Sequence, residues 1–215
     1  WTNKTLMYGA YKRTESVFQN SPMMAEGKPS PAEAALLEPF RGKVPDEVFA
    51  EPFEPPVTDG SGQDRKWLRK AAQLLNTASY RVKDGKRMRA DGQPFTMEFL
   101  LEEPSFIPHH QTYIKNLTLL GIDATLRMVD PVQYRARVDD FDFDICVQRF
   151  SFSSTPGDSL RTYFSSLAAK TKGTQNLAGI ADPLVDELID TIIAAKSREE
   201  LTTACRVLDR VIRAG

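Results

Sequence analysis

The chain has 215 residues, 41% apolar and 27% charged, with a formal net charge of −1. That is an ordinary globular composition, long enough for one large domain or two small ones. The charge leaves no electrostatic footprint for nucleic acid or an anionic membrane, and no apolar run reaches the roughly 18 residues that span a bilayer. Trp1 stands where an initiator Met would, and the chain stops just after a strong amphipathic helix. It therefore reads as a piece of a longer protein, and the missing leader says nothing of compartment. Cys146 and Cys205 are the only cysteines. A disulfide and two free thiols both fit, and their apolar contexts favour free thiols. No Cys-x-x-Cys spacing exists, which excludes a zinc site of that type.

In chain order, residues 2–13 read as a short helix that Thr2 could cap. Tyr8, Tyr11 and Arg13 near its end could face a cleft, and ordinary packing with phenols at the rim is the simpler reading. Residues 18–62 hold most of the 14 prolines and read as a long irregular arm, of the kind that wraps a domain or lines a functional surface. One helix interrupts it, opened by the capping box Ser30-Pro31-Ala32-Glu33. The glycines of Asp59-Gly60-Ser61-Gly62 lack the Lys-Ser/Thr of a phosphate loop, so the stretch reads as a turn. Residues 63–77 form a helix with Trp67, Leu68, Ala71, Leu74 and Leu75 as its apolar stripe and Lys66, Arg69, Lys70 and Gln73 opposite.

Asp84-Gly85 predicts a hairpin turn. Phe95, Met97, Phe99 and Leu101 alternate as a strand, a helix over residues 108–120 follows, and Gly121 is placed to stop it. Ile122, Ala124, Leu126 and Met128 alternate as the next strand. The strand-helix-strand unit predicts a parallel pair. Asp130-Pro131-Val132-Gln133 opens another helix. Residues 141–150 predict a third strand, with Phe141, Phe143, Ile145 and Val147 on one face. Residues 151–174 are mostly loop around a short helix at 160–166. Asp182-Pro183 and then Ser197 to Glu200 open the last two helices.

Little here resembles catalysis. Asp139, Asp140, Asp142 and Asp144 are strung along an extended segment, whereas a hard cation needs converging oxygens. His109 and His110 point about 100° apart on a helix. Nothing near Ser151, Ser153 or Cys146 resembles a nucleophile elbow. No catalytic residue, metal site or cofactor is expected. The end of the third strand is the better candidate, because ligands in open α/β sheets bind beyond the carboxyl ends of strands. Gln148, Arg149, Phe150, Ser151, Phe152, Ser153, Ser154 and Thr155 offer a guanidinium, aromatic faces, hydroxyls and backbone groups that could pair with a peptide strand. A plain surface loop whose Phe150 and Phe152 merely pack fits the same residues.

The stretch GIDATLRMVDPVQYRARVDDFDFDICVQRF resembles the signature region of the family 5 extracellular solute-binding proteins, the peptide, dipeptide and nickel receptors of ABC importers. AAQLLNTASY and NLAGIADPLVDELI resemble two further family segments. The N-terminal NKTLMYGAYKRTESVFQNSPMMAEG, the Pro-rich arm and DGSGQDRK look like the YejA-type, oligopeptide-binding branch. The resemblance implies a lobe of a type II periplasmic binding protein: one α/β unit over residues 1–215, a mixed sheet with a parallel strand-helix-strand core flanked by helices, and the Pro-rich arm. It also implies a missing N-terminal lobe of the same chain, a Gram-negative periplasmic location, an oligopeptide ligand and ABC permease subunits as partners, with no nucleic acid and no reaction. Site residues would be Gln148, Arg149, Phe150, Ser151, Phe152 and Ser153, with Tyr11. In peptide-binding relatives an acidic residue of this loop pairs with the ligand's α-amine. Aligned on Pro156, this chain has Phe152 there, with Asp158 the nearest carboxylate, which implies another peptide register or recognition through Arg149 and the aromatics.

Overall fold

The computed structural model describes residues 1–214. Within the span expected to be one lobe, the contacts divide the chain into two compact units. The first comprises Trp1–Lys12 and Pro56–Gln148, the second Arg13–Pro55 and Arg149–Gly215.

The first unit is built on the parallel pair β3 (Thr96–Leu101) and β4 (Asp123–Met128), in register from Thr96 opposite Asp123 to Leu101 opposite Met128. The helix α4 (Ile107–Leu119) joins them. It stops where Gly121 takes φ +82, a left-handed conformation that costs glycine little. Phe99, Leu117 and Ile122 make a small core, with Leu75 and Ile114 packed against it. The hairpin β1 (Arg81–Lys83) and β2 (Lys86–Met88) turns at Asp84 and Gly85, both at positive φ, as a type I′ turn requires. Its Arg87 is 3% exposed. Its guanidinium donates to the Leu120 carbonyl at 3.0 Å and to Asn76 at 2.8 Å, placing a cation at the carboxyl ends of α4 and of α3 (Arg65–Thr77), where the helix dipole favours one. Asp64 caps α3 through Lys66 and Trp67. Asp130 caps α5 (Pro131–Asp139) through Gln133.

Two expectations fail in this unit. The first helix, α1, covers only Thr2–Thr5, with Trp1 at its N-cap and no side-chain capping bond. Tyr8 and Gly9 take positive φ, and the Asn3 side chain bonds the Tyr11 backbone instead. The third strand over residues 141–150 shrinks to a single parallel bridge between Ile145 and Phe99. Phe141 sits at φ +56, outside extended geometry. The Asp144 carboxylate accepts the Glu98 N–H at 2.8 Å, standing in for a ladder bond.

The second unit is helical. Its core gathers Phe18, Leu37, Val48, Leu160, Phe164, Leu188, Ile189, Ile192, Cys205 and Leu208, among others. These come from α2 (Pro31–Leu37), α6 (Leu160–Phe164), α7 (Pro183–Ala194), α8 (Arg198–Ala214) and the irregular arm. Ser30, Asp182 and Ser197 each cap a helix, as their sequence context predicts. A polar lock fixes the arm to α8. Asp209, wholly buried, accepts from Ser16 at 2.6 Å and from the Ala25 N–H at 3.0 Å. Arg210 pairs with buried Glu33 at 2.7 Å and donates to the carbonyls of Gly27 and Ala50.

Candidate functional site

The segment leaving the sheet is held from two sides. Leu100 donates its N–H to the Ile145 carbonyl at 2.8 Å, and Ile145 donates to Glu98 at 3.1 Å. One phenol then satisfies both backbone groups of Val147: the Tyr134 hydroxyl donates to its carbonyl at 2.9 Å and accepts its N–H at 3.2 Å. Burial raises the Tyr134 phenol above its ordinary value, with Cys146 adding to the shift. Burial also raises the Cys146 thiol. Both groups therefore stay neutral near neutral pH, and Cys146 is free. Gln148 closes this unit.

Arg149 opens the other unit, and residues 149–153 run without turn or bend. Among the described residues, no backbone hydrogen bond within the sheets, turns or loops uses their N–H or carbonyl groups. Phe150 and Phe152 stack with ring centres 6.1 Å apart and planes 10° apart, which places both rings on one side. Phe152 packs inward, 5.0 Å from Tyr163, 5.8 Å from Phe164 and 6.0 Å from Phe18. Phe150 stays 48% exposed, its ring 5.8 Å from Tyr163. Arg149, Ser151 and Ser153 are exposed. The far end is pinned where Ser153 Oγ accepts from Thr155, Arg198 donates to the Ser154 carbonyl, and Pro156 is buried.

Arg149, Phe150, Ser151, Phe152 and Ser153 thus lie together on one segment of the helical unit, with Phe152 turned into its core. Gln148 and Tyr11 belong to the other unit, and Tyr11 is 66% exposed. Tyr163 escapes the sequence reading. It lies within the short helix expected at 160–166, but only the fold shows that its ring meets Phe150 and Phe152. Carboxylates that flank the segment in sequence are engaged. Asp142 pairs with Arg137 at 2.7 Å, Asp139 with Arg135 at 2.8 Å, and Asp158 with Arg161 at 3.0 Å. No cluster of three or more metal-binding side chains occurs among the described residues. His110 uses Nδ1 on the Phe106 carbonyl at 2.8 Å and sets its ring edge-on to Phe99.

The family model described as "Bacterial extracellular solute-binding proteins, family 5 Middle" matches residues 1–172. The probable peptide-binding protein YejA of Agrobacterium fabrum is 38% identical over 214 residues, covering 99% of this chain and 35% of that protein. The chain thus spans about a third of the length of the curated relatives it matches. Among solved structures, NikA from Brucella suis in complex with Fe(III)-EDTA superposes with a TM-score of 0.64 at 17% identity, over 99% of this chain and 37% of NikA. AppA from Bacillus subtilis, in complex with a nonapeptide, superposes at 0.60 with 17% identity, over 100% of this chain and 42% of AppA. At such identities the likeness shows the fold: the mixed α/β architecture of type II periplasmic binding proteins expected from the sequence.

Proposed function

The chain belongs to the bacterial extracellular solute-binding proteins of family 5, and on that premise we propose that it is part of the receptor of an ABC importer whose solute is an oligopeptide. The observation that carries the ligand class is the run of residues 149–153, whose backbone groups have no backbone partner in the sheets, turns or loops among the described residues and which presents a half-exposed aromatic face. Such an edge accepts an extended peptide through main-chain hydrogen bonds. Phe150 takes an apolar side chain, Arg149 a carboxylate, and Ser151 and Ser153 supply hydroxyls. Phe152 stands where the resemblance places an amine-binding carboxylate, and Asp158 is drawn to Arg161. The ligand's α-amine is therefore not gripped at this segment. No bond is broken. The closed receptor hands its solute to the membrane permease from the periplasmic side, and no helix among the described residues is long and apolar enough to cross a membrane.

Calorimetry of the intact protein with mixed oligopeptides tests this reading. Saturable heat is expected, with the peptides recovered intact by mass spectrometry. Arg149→Ala and Phe150→Ala should each weaken binding by about tenfold. Heat with a sugar or a metal chelate and none with peptides would replace the ligand class. Unchanged affinity in both variants would remove residues 149–153 from the site, and cleaved peptides would make the protein a hydrolase.

A further inference from the structure

The helix α3 carries more apolar and more cationic surface than its packing uses. Of its expected apolar stripe, Leu75 reaches the core, but Leu74 is left 56% exposed and no residue of the helix is fully buried. Trp67 donates its indole N–H to the Val57 carbonyl at 2.9 Å, which brings Val57, 84% exposed, beside it. The Lys66 ammonium lies 5.2 Å from the centre of the Trp67 ring. Lys66, Trp67, Arg69, Lys70 and Gln73 line a shallow recess of about 490 Å³. With Arg65, four exposed cations stand in the first two turns, where the helix dipole and their mutual repulsion both disfavour them. Among the described residues none of the four has a carboxylate within ion-pair distance. The nearest acids in sequence are turned to the backbone: Asp64 accepts from Lys66, Trp67 and Asp59, and Asp59 accepts from Ser61. From Arg65 to Thr77 the helix has no acidic residue.

We propose that this face docks on an anionic phospholipid bilayer. Lysines and arginines around a tryptophan and exposed aliphatic side chains, with no acid among them, suit the headgroup boundary, where cations meet phosphates and apolar groups enter the interface. A specific protein interface would instead be depleted in lysine and would fix orientation with paired charges. The net charge of −1 averages over this local concentration and so conceals it.

Co-sedimentation of the intact protein with vesicles tests the assignment. Phosphatidylethanolamine vesicles with roughly a third phosphatidylglycerol should retain it, phosphatidylcholine vesicles should not, and high salt should release it. Combined Lys66→Glu, Arg69→Glu and Lys70→Glu should lower partitioning by about tenfold or more, and Leu74→Ser should lower it without changing charge. Peptide affinity and melting temperature should stay as in the wild type, which separates this face from the ligand site. If the triple variant does not fold, the salt dependence and the milder Lys66→Gln, Lys70→Gln pair decide. No retention on anionic vesicles, retention that ignores both sets of substitutions, or displacement from vesicles to an acidic protein would overturn it.

Discussion

Arg210 shows what a single buried charge does in this fold. Its side chain is 1% exposed and that of Glu33 4%. Each is tolerated because the other is present and because backbone carbonyls take the remaining guanidinium protons. Arg210→Ala strips buried Glu33 of its close partner, leaving only Arg206 at 3.9 Å and the Ser30 hydroxyl at 3.3 Å, which should cost roughly 3–5 kcal/mol in urea unfolding. Replacing both by apolar residues of similar volume should cost much less. A small loss in the single variant would mean that water reaches Glu33. Cys205 gives a pH prediction. Burial pushes its thiol from 9.0 up to about 12. Below pH 9 it is protonated in the folded and unfolded chain alike, and its contribution is constant. As pH rises from 9 towards 12 the unfolded chain loses its proton first, so stability falls. Unfolding followed across that range should show the fall, and Cys205→Ala should flatten it. At pH 8 half-buried Cys146 should alkylate before Cys205, and the reverse order would mean that Cys205 is the more accessible thiol.

The elements divide by the reach of their causes. The starts of α2, α5, α7 and α8 are legible in the sequence because each cap and its partner lie within three residues, a local device worth about 1 kcal/mol each. The third strand misleads because alternation in residues 141–150 satisfies the strand period while side chains decide otherwise. Arg137 holds both the carboxylate and the carbonyl of Asp142, and Asp144 occupies the Glu98 N–H. The arm's lock is illegible for the opposite reason: Ala25 meets Asp209 across 184 positions. At the candidate site the Arg149–Ser153 stretch can be read as the end of a strand, but not that Phe152 turns inward onto Tyr163. Gly121 joins two elements and tests their docking. A Cβ there would lie 2.9 Å from the Arg87 nitrogen and 3.1 Å from the Gly85 carbonyl, at φ +82. Both obstacles are backbone of the β1–β2 hairpin, so no rotamer relieves them. Gly121→Ala should cost roughly 2 kcal/mol or more, with faster amide exchange in the hairpin. Exchange unchanged at Arg87 would show that the hairpin docks without this close approach.

At the scale of the whole molecule, the candidate wall belongs to a chain that covers about a third of its relatives' length. Ligand pockets bury most of a small ligand's surface, and the affinity of an extended peptide comes from many pairings made at once. Residues 149–153 offer five residues of backbone on one side, with one half-exposed ring. Alone, they leave the rest of a bound peptide in water, and the ordering of that peptide is offset by few contacts. The 215-residue chain expressed by itself should therefore fold, since each unit has its own core, yet bind oligopeptides at least about a hundredfold more weakly than the intact protein. Circular dichroism checks the first point and calorimetry the second. Equal affinities would place the whole ligand site within this chain and would shift attention from the exposed edge at residues 149–153 to a site elsewhere in either unit.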